Sequence, residues 1–188
     1  MLKKKYYLII SSIKDINLDN IKKLGKFSII YRNLTKPEEK GELLRFRKKC
    51  KLKSIGFYIA NDLKLATYTS SDGIYLSSYN KSYKALNLRK LNIHIIGSAH
   101  SKKEIYMKMK QGCEIILLSK LFIVDYDDKA PYLGVIKFNN SLNFNKNLIP
   151  LGGIKLNNLN SLNMVNCKGF ALLSEVKKKP TNIISRLF

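Results

Sequence analysis

Short apolar runs recur along the whole chain, separated by polar or amphipathic stretches. The runs are rich in Ile, Leu, Tyr and Phe, and most are nearly continuous rather than alternating. They lie at 6–11, 27–32, 55–60, 73–78, 92–97, 114–122, 148–154 and 169–176. Continuous runs of this length are typical of strands that are buried on both faces of a parallel sheet, so the sequence predicts such a sheet.

The stretches between the runs contain helix signals. The segment 35–38 (Thr-Lys-Pro-Glu) has the pattern of a capping box with proline in the first turn, which predicts a helix to about Lys51. A second capping box at 101–104 (Ser-Lys-Lys-Glu) predicts a helix that ends at Gly112. Weaker or shorter helices are predicted at 17–24, 62–70, 81–90, 156–166 and 179–187, and the segment 123–147 is interpreted as a loop.

The alternation of strands and helices predicts a fold of the α/β class. Eight predicted strands in 188 residues fit a small (β/α)8 TIM barrel that forms a single domain over 1–188. The chain is short for this fold, so some of the helices must be short. An open doubly wound sheet is the main alternative. Its dinucleotide-binding version is weakened, since no Gly-x-Gly-x-x-Gly follows the first run.

The net charge of +22 raises the question of a polyanionic partner. The excess is mostly Lys and is scattered, with no Arg-rich tail, zinc knuckle or aromatic RNA-binding signature. Nucleic-acid binding is therefore a remote alternative. We interpret the charge as a solvated Lys-rich surface, part of which helps to collect a phosphorylated substrate.

Features of the chain favour a cytoplasmic protein without a membrane anchor. No apolar run is long enough to span a membrane. The first run lacks a small-residue cleavage site and is interpreted as a strand rather than a signal peptide. Cys50, Cys113 and Cys167 lie far apart, without metal-ligand spacing, and their odd number argues against a disulfide framework. We expect reduced thiols.

Two aspartates flank neighbouring runs. Asp62 follows the third run, at the strand end where barrels of this kind carry their active sites, and Asp72 precedes the fourth. If strand ends shift by a few residues, two converging carboxylates with substrate phosphate oxygens suit Mg²⁺. A helix cap at Asp62 and an ordinary turn at Asp72 are the alternatives.

The order of several motifs resembles the thiamine phosphate synthase and thiazole tautomerase family over nearly the whole chain. The motifs are Ile-Ala-Asn-Asp at 59–62, Asp-Gly-Ile-Tyr-Leu-Ser-Ser at 72–78, Ser-Ala-His-Ser at 98–101, Ala-Pro-Tyr-Leu-Gly at 130–134 and Pro-Leu-Gly-Gly-Ile at 150–154. The resemblance implies a (β/α)8 barrel. It also implies coupling of a hydroxymethylpyrimidine diphosphate to a thiazole phosphate, with release of pyrophosphate.

The resemblance also implies roles for catalytic and metal-binding residues. Asp62 and Asp72 would hold Mg²⁺ on the pyrophosphate of the pyrimidine substrate. Arg32 would contact that pyrophosphate, and Ser98 would lie near it or near the pyrimidine. His100 matches a position that is catalytic in the tautomerases, where an imidazole moves a ring proton near neutral pH. By contrast, His94 lies within a predicted strand and is interpreted as packed.

Further residues are implied to bind substrate. Asn61 would bind the pyrophosphate, and the thiazole phosphate would be bound by Gly152, Gly153, Leu173 and Ser174. Lys129 would replace a phosphate-binding Lys of the family, whose place is taken here by Asp127.

Departures from the family pattern leave more than one function open. Leu34 and Ile30 replace a Lys and a Gln of the family, and Val124 and Tyr126 replace phosphate-binding hydroxyl residues. A synthase is the first interpretation. The alternatives are a tautomerase-like isomerase that uses His100 and a catalytically silent relative that binds a phosphate ligand. The expected partners are phosphorylated small molecules, and assembly into a homo-oligomer is possible.

Overall fold

The computed structural model describes residues 5–21, 25–34, 38–91 and 93–173. Eight parallel strands close into a barrel in which each strand pairs with its neighbours in sequence and β1 pairs with β8. They are β1 (Lys5–Ile10), β2 (Phe27–Tyr31), β3 (Gly56–Ala60), β4 (Gly73–Leu76), β5 (His94–Ala99), β6 (Ile115–Ser119), β7 (Leu148–Leu151) and β8 (Gly169–Leu172). The predicted (β/α)8 barrel is confirmed.

Short connections let a barrel form from so small a chain. Four α-helices are described: α1 (Lys40–Leu52), α2 (Leu63–Tyr68), α3 (Lys102–Lys110) and α4 (Gly134–Leu142). The other described connections use 3-10 turns at Ile13–Asp15, Leu18–Asn20, Lys84–Leu91 and Leu156–Met164. The helices predicted at 81–90 and 156–166 are thus 3-10 segments, and the described part of the one predicted at 17–24 contains the 3-10 turn Leu18–Asn20. The interpretation of 123–147 as one loop is wrong, because α4 lies within it.

Three predicted helix features fall wholly or partly outside the described residues, one of them the helix predicted at 17–24, whose residues 22–24 are not described. The segment 179–187 lies outside them, as do residues 35–37 of the first predicted capping box. The described part of that helix begins at Lys40, after Glu39.

The barrel interior is filled by side chains. Alternate strand residues point inward and form one cluster, which consists of Tyr7, Ile9, Ile30, Tyr58, Tyr75, Ile96, Leu117, Ile149, Leu151 and Ala171. The intervening strand residues pack against the surrounding helices and connections. The interior is therefore a packed core, and a ligand has room only where the strands end.

The second predicted capping box is present in part: Ser101 caps the start of α3, but the Glu104 side chain accepts from His100 rather than from Ser101. The Ser101 hydroxyl accepts a hydrogen bond from the Glu104 backbone N–H at 3.2 Å. The Glu104 carboxylate accepts one from the His100 backbone N–H at 2.8 Å. These bonds place His100 at the carboxyl end of β5. None of the helices in the described parts of the chain is long and apolar enough to cross a membrane.

Candidate active site

A pocket of about 120 Å³ lies at the carboxyl ends of the strands. Several residues predicted as site residues line it together: Arg32, Ser98, His100, Gly152, Gly153 and Leu173. Ser174, predicted beside Leu173, lies outside the described residues. The carboxyl ends of strands are where barrels of this kind carry their active sites, so this pocket is the candidate site.

Arg32 gives the pocket a cationic wall. It directly follows β2, and its backbone N–H donates to the carbonyl of Ile10 at 2.8 Å. The side-chain Nε is buried and has no hydrogen-bond partner among the described residues. A buried donor without a partner costs stability unless a ligand satisfies it. The planar guanidinium suits the oxygens of a phosphate or carboxylate, so Arg32 is placed to bind an anionic ligand.

Tyr75 also lines the pocket, and sequence reasoning missed it. It points inward from β4 and is only 2% exposed. Burial raises the pKa of its phenol, and a hydrogen bond with Ser98 opposes that shift. The phenol therefore stays protonated at neutral pH and serves as a hydrogen-bonding group. Its inward position follows from strand alternation, which was the available signal.

A glycine turn after β7 forms another wall. Gly152 and Gly153 have φ of 91° and 70°, in the left-handed region that favours glycine. A Cβ at Gly153 would lie 2.4 Å from the carbonyl oxygen of Phe122. Asn158 fixes the turn, because its Nδ2 donates to the Gly153 carbonyl at 2.8 Å. Only glycine fits this turn, and its backbone can approach a phosphate closely.

His100 lies at the mouth of the pocket. Its side chain is exposed, and no described residue forms a hydrogen bond with the imidazole ring. The ring is thus available to a ligand. His94, by contrast, opens β5 at the opposite end of the barrel. It is exposed and lies 2.8 Å from a carboxylate oxygen of Glu114, so the interpretation of His94 as packed is wrong.

The structure does not bring Asn61 into the pocket lining. Its Nδ2 donates to the Ser77 hydroxyl at 2.8 Å and to the Tyr79 hydroxyl at 3.1 Å. Its Oδ1 accepts from the Ser77 N–H and from Asn80 Nδ2, both at 3.0 Å. The amide of Asn61 therefore holds the loop that follows β4.

A buried lysine holds the same loop from the other side. Lys108 of α3 is 1% exposed, and its Nζ donates to the carbonyls of Ser77 and Asn80, both at 2.7 Å, and to the Gln111 side chain at 2.9 Å. Gln111 in turn donates to the carbonyls of Asn80 and Ser82. Desolvation lowers the pKa of Lys108.

Asp62 and Asp72 do not converge on one ion. Asp62 follows β3 and caps α2, accepting a hydrogen bond from the Leu65 N–H at 2.9 Å. Asp72 precedes β4 and accepts hydrogen bonds from Arg47 at 2.7 Å and from the Phe57 N–H at 2.8 Å. Phe57 lies near the start of β3, so the two aspartates lie at opposite ends of the strands, roughly 15 Å apart along the barrel.

The prediction that Asp62 and Asp72 together hold one Mg²⁺ ion is therefore corrected, because the two carboxylates have separate partners at opposite ends of the strands. Within the described ranges, no group of three or more His, Cys, Asp or Glu residues could hold a metal ion. The carboxylate of Asp72 is engaged by Arg47 and Phe57 away from the pocket. The residues described do not fit the predicted Mg²⁺ site.

Lys129 is exposed and does not line the pocket. Lys155 and Asp125 line it instead, and sequence reasoning missed both. Lys155 lies two residues beyond the glycine turn, and its Nζ donates to the Asp125 carboxylate. The position of Lys155 beside the turn was a signal available in the sequence.

The closed barrel and its pocket define an α/β-barrel protein with a small candidate site at the carboxyl ends of its strands. The chain belongs to the thiamine monophosphate synthase family, whose family model matches residues 11–176. That match confirms the family resemblance seen in the motifs.

Solved structures share the fold. Thiamine phosphate pyrophosphorylase from Pyrococcus furiosus superposes with a TM-score of 0.76 at 18% identity, covering 99% of this chain and 96% of that one. 3-Keto-L-gulonate-6-phosphate decarboxylase from Vibrio cholerae superposes with a TM-score of 0.66 at 12% identity, covering 99% of this chain and 99% of that one. Phosphoribosyl anthranilate isomerase from Thermotoga maritima superposes with a TM-score of 0.62 at 14% identity, covering 95% of this chain and 91% of that one. No curated protein matches the sequence significantly.

Proposed function

We propose that this protein is an enzyme of thiamine biosynthesis that binds a thiazole-type phosphate in the pocket and moves a ring proton with His100. One observation carries the proposal: the pocket joins Arg32 and the glycine turn to an imidazole that forms no hydrogen bond with the described residues, while Asp62 and Asp72 lie outside the pocket lining. An isomerisation of this kind needs no pyrophosphate site. The proton leaves one ring position and returns at another, so the overall composition of the substrate is unchanged.

Different residues of the pocket lining bind the phosphate, contact the ring and transfer the proton. The glycine turn and Arg32 bind the phosphate through backbone N–H groups and the guanidinium. Tyr75 and Ser98 offer hydroxyl groups to the heteroaromatic ring from the pocket lining. His100 takes and returns the proton, since one imidazole nitrogen can accept a proton while the other can donate one.

Coupling to a pyrimidine diphosphate is the second candidate. It is favoured by the family match over residues 11–176 and by the presence of Arg32 and Ser98 in one pocket. Asp62 and Asp72 lie apart, so they do not form a shared Mg²⁺ site for this reaction. A catalytically silent relative would bind the phosphate ligand and turn over neither substrate.

The test assays both reactions with one protein preparation. Isomerisation of a thiazole phosphate tautomer is followed by NMR, and coupling by fluorescence of oxidised thiamine phosphate. We expect isomerisation in the wild type and a loss of about 100-fold or more in His100→Asn. His94→Asn is the matched control, because that histidine lies at the far end of the barrel, and it should retain activity.

Other results would change the assignment. Coupling without isomerisation would support the synthase. Binding of thiazole phosphate with neither reaction would support the silent relative. Equal isomerisation in His100→Asn and the wild type would remove His100 from the mechanism. A cytoplasmic location and homo-oligomer formation remain predictions, and light scattering of the purified protein tests the second.

A further inference from the structure

The candidate site carries little positive charge, although the chain carries a net charge of +22. The described residues that line it include two permanent cations, Arg32 and Lys155, and one carboxylate, Asp125. The Lys155 ammonium donates a hydrogen bond to that carboxylate. Lys155 is therefore neutralised by its neighbour, whereas Arg32 has no carboxylate partner among the described residues. Only one cation in the lining remains uncompensated.

The neutralising carboxylate comes from the loop that follows β6. Asp125 has a side chain that is 45% exposed, and that of Lys155 is 33% exposed. A second acidic residue of the same loop, Asp127, lies 3.9 Å from Lys120, and neither of these two residues lines the pocket. The loop thus brings one aspartate to the pocket, whereas Asp127 and Asp128 lie outside the pocket lining.

The Asp125 carboxylate engages Lys155, a basic residue of the pocket lining that lies two residues beyond the glycine turn in sequence. A ligand phosphate would have to compete with this carboxylate for the ammonium. Because Asp125 lines the same pocket, a second phosphate group would bring like charge near its carboxylate, and like charges at close range oppose binding. The pocket volume of about 120 Å³ adds to this limit.

We infer that Asp125 is a specificity-determining residue that restricts the site to a ligand with a single phosphate group and excludes a diphosphate. The inference rests on the proposed function in that the ligand is phosphorylated, and it deepens that function by naming the ligand class. Arg32 and the glycine turn hold the one phosphate. Asp125 retains Lys155 and repels a second phosphate.

Inorganic phosphate and pyrophosphate are the probes, and calorimetric titration of the purified protein measures their affinities. We expect the wild type to bind pyrophosphate no more tightly than phosphate. Asp125→Asn removes the repelling charge and frees Lys155, so it should bind pyrophosphate about 10–100-fold more tightly than the wild type. Asp127→Asn, on the same loop but outside the lining, is the matched control and should bind both anions as the wild type does.

A double variant assigns the gain to Lys155. In Asp125→Asn with Lys155→Met, most of the added pyrophosphate affinity should disappear. Pyrophosphate affinity that is equal in the wild type and Asp125→Asn would overturn the inference, and so would tight pyrophosphate binding by the wild type. Thermal melting of each variant confirms that it is folded.

The failure of the proposed function would give a different pattern. If the wild type neither binds nor isomerises thiazole phosphate, yet Asp125→Asn gains pyrophosphate affinity through Lys155, the inference holds and the proposed function fails. If thiazole phosphate is turned over but the Asp125 variant gains nothing, the inference alone fails.

Discussion

At the scale of single residues, Asp72 illustrates how a carboxylate in a family-like motif serves the fold rather than the site. Its two oxygens accept hydrogen bonds from Arg47 and from the Phe57 backbone, at the amino ends of β3 and β4. The Arg47 side chain is only 12% exposed. We therefore expect Asp72→Asn to lower the free energy of unfolding by about 1–3 kcal/mol, measured by urea denaturation.

The same variant tests whether Asp72 belongs to the site. It should bind phosphate as the wild type does, and Mg²⁺ should shift the melting temperature of both proteins equally. An Mg²⁺-dependent stabilisation that disappears in Asp72→Asn would contradict the structural role. Asp19→Asn is the control, because its ion pair with Lys53 involves an aspartate side chain that is 80% exposed, and the change should cost little.

Residue-scale reasoning placed residues in the pocket where they lie at the carboxyl end of a strand, as Arg32 does just after β2 and Ser98 does within the last residues of β5. Arg32 and Ser98 reach the pocket because parallel strands all end on one side of a barrel. It placed Asp72 correctly before β4, but the metal-binding role implied by the resemblance requires this carboxylate to reach the other end of the strands, and Arg47 and Phe57 hold it at the amino ends. It failed at Lys129, because the course of the loop after β6 depends on contacts far away in sequence.

At the scale of elements, α3 supports the candidate site through the loop after β4. Among the described residues, Lys108 donates hydrogen bonds only to neutral oxygens, and two of these oxygens belong to that loop. Lys108→Met would leave the carbonyls of Ser77 and Asn80 without this donor. We expect a loss of about 1–3 kcal/mol in the free energy of unfolding and weaker binding of phosphate, measured by urea denaturation and calorimetry.

The exposed Lys103 of the same helix provides the control for this prediction. Lys103→Met should change the free energy of unfolding by no more than about 0.5 kcal/mol. An equally small effect of Lys108→Met would show that the loop keeps its conformation without the buried ammonium.

Element types were easier to predict than the forms of the connections. Each continuous apolar run became a strand, because burial on both faces demands an unbroken apolar sequence. The helix α4 was missed because its sequence, Gly134–Leu142, begins with glycine and contains two asparagines, which are poor helix formers. Packing of Phe138 in the core outweighs those local preferences.

At the scale of the whole molecule, buried tyrosine and cysteine side chains set how the fold responds to alkaline pH. Burial raises the pKa of Tyr7 to about 12 from an ordinary value of 10.0. Burial likewise raises the pKa of the Cys50 and Cys113 thiols to about 12 from 9.0. In each case the neutral form is favoured in the folded protein, because the interior cannot solvate an anion.

The sign of the pH dependence follows from proton binding. Between pH 9.0 and about 12, the unfolded chain has lost protons that the folded barrel still holds on Cys50, Cys113 and Tyr7. The stability that these three groups contribute is therefore fully present below pH 9.0, and it is lost as the pH rises through this window. Lys108 acts in the opposite direction, since a lowered lysine pKa relieves its desolvation cost as the pH rises.

We expect the melting temperature to fall steeply above pH 9.0, as measured by circular dichroism at closely spaced pH values. Tyr7→Phe removes one of the contributing groups, so its melting temperature should fall less steeply above pH 10.0. Near pH 12, the loss in the free energy of unfolding should be about 2–3 kcal/mol smaller in the variant than in the wild type. Tyr126→Phe is the matched control, because that tyrosine is 71% exposed and should leave the profile unchanged. Identical profiles for Tyr7→Phe and the wild type would show that the phenol of Tyr7 ionises in the folded barrel as readily as in the unfolded chain. The interior would then have to admit water, contrary to the close packing of its ten inward side chains.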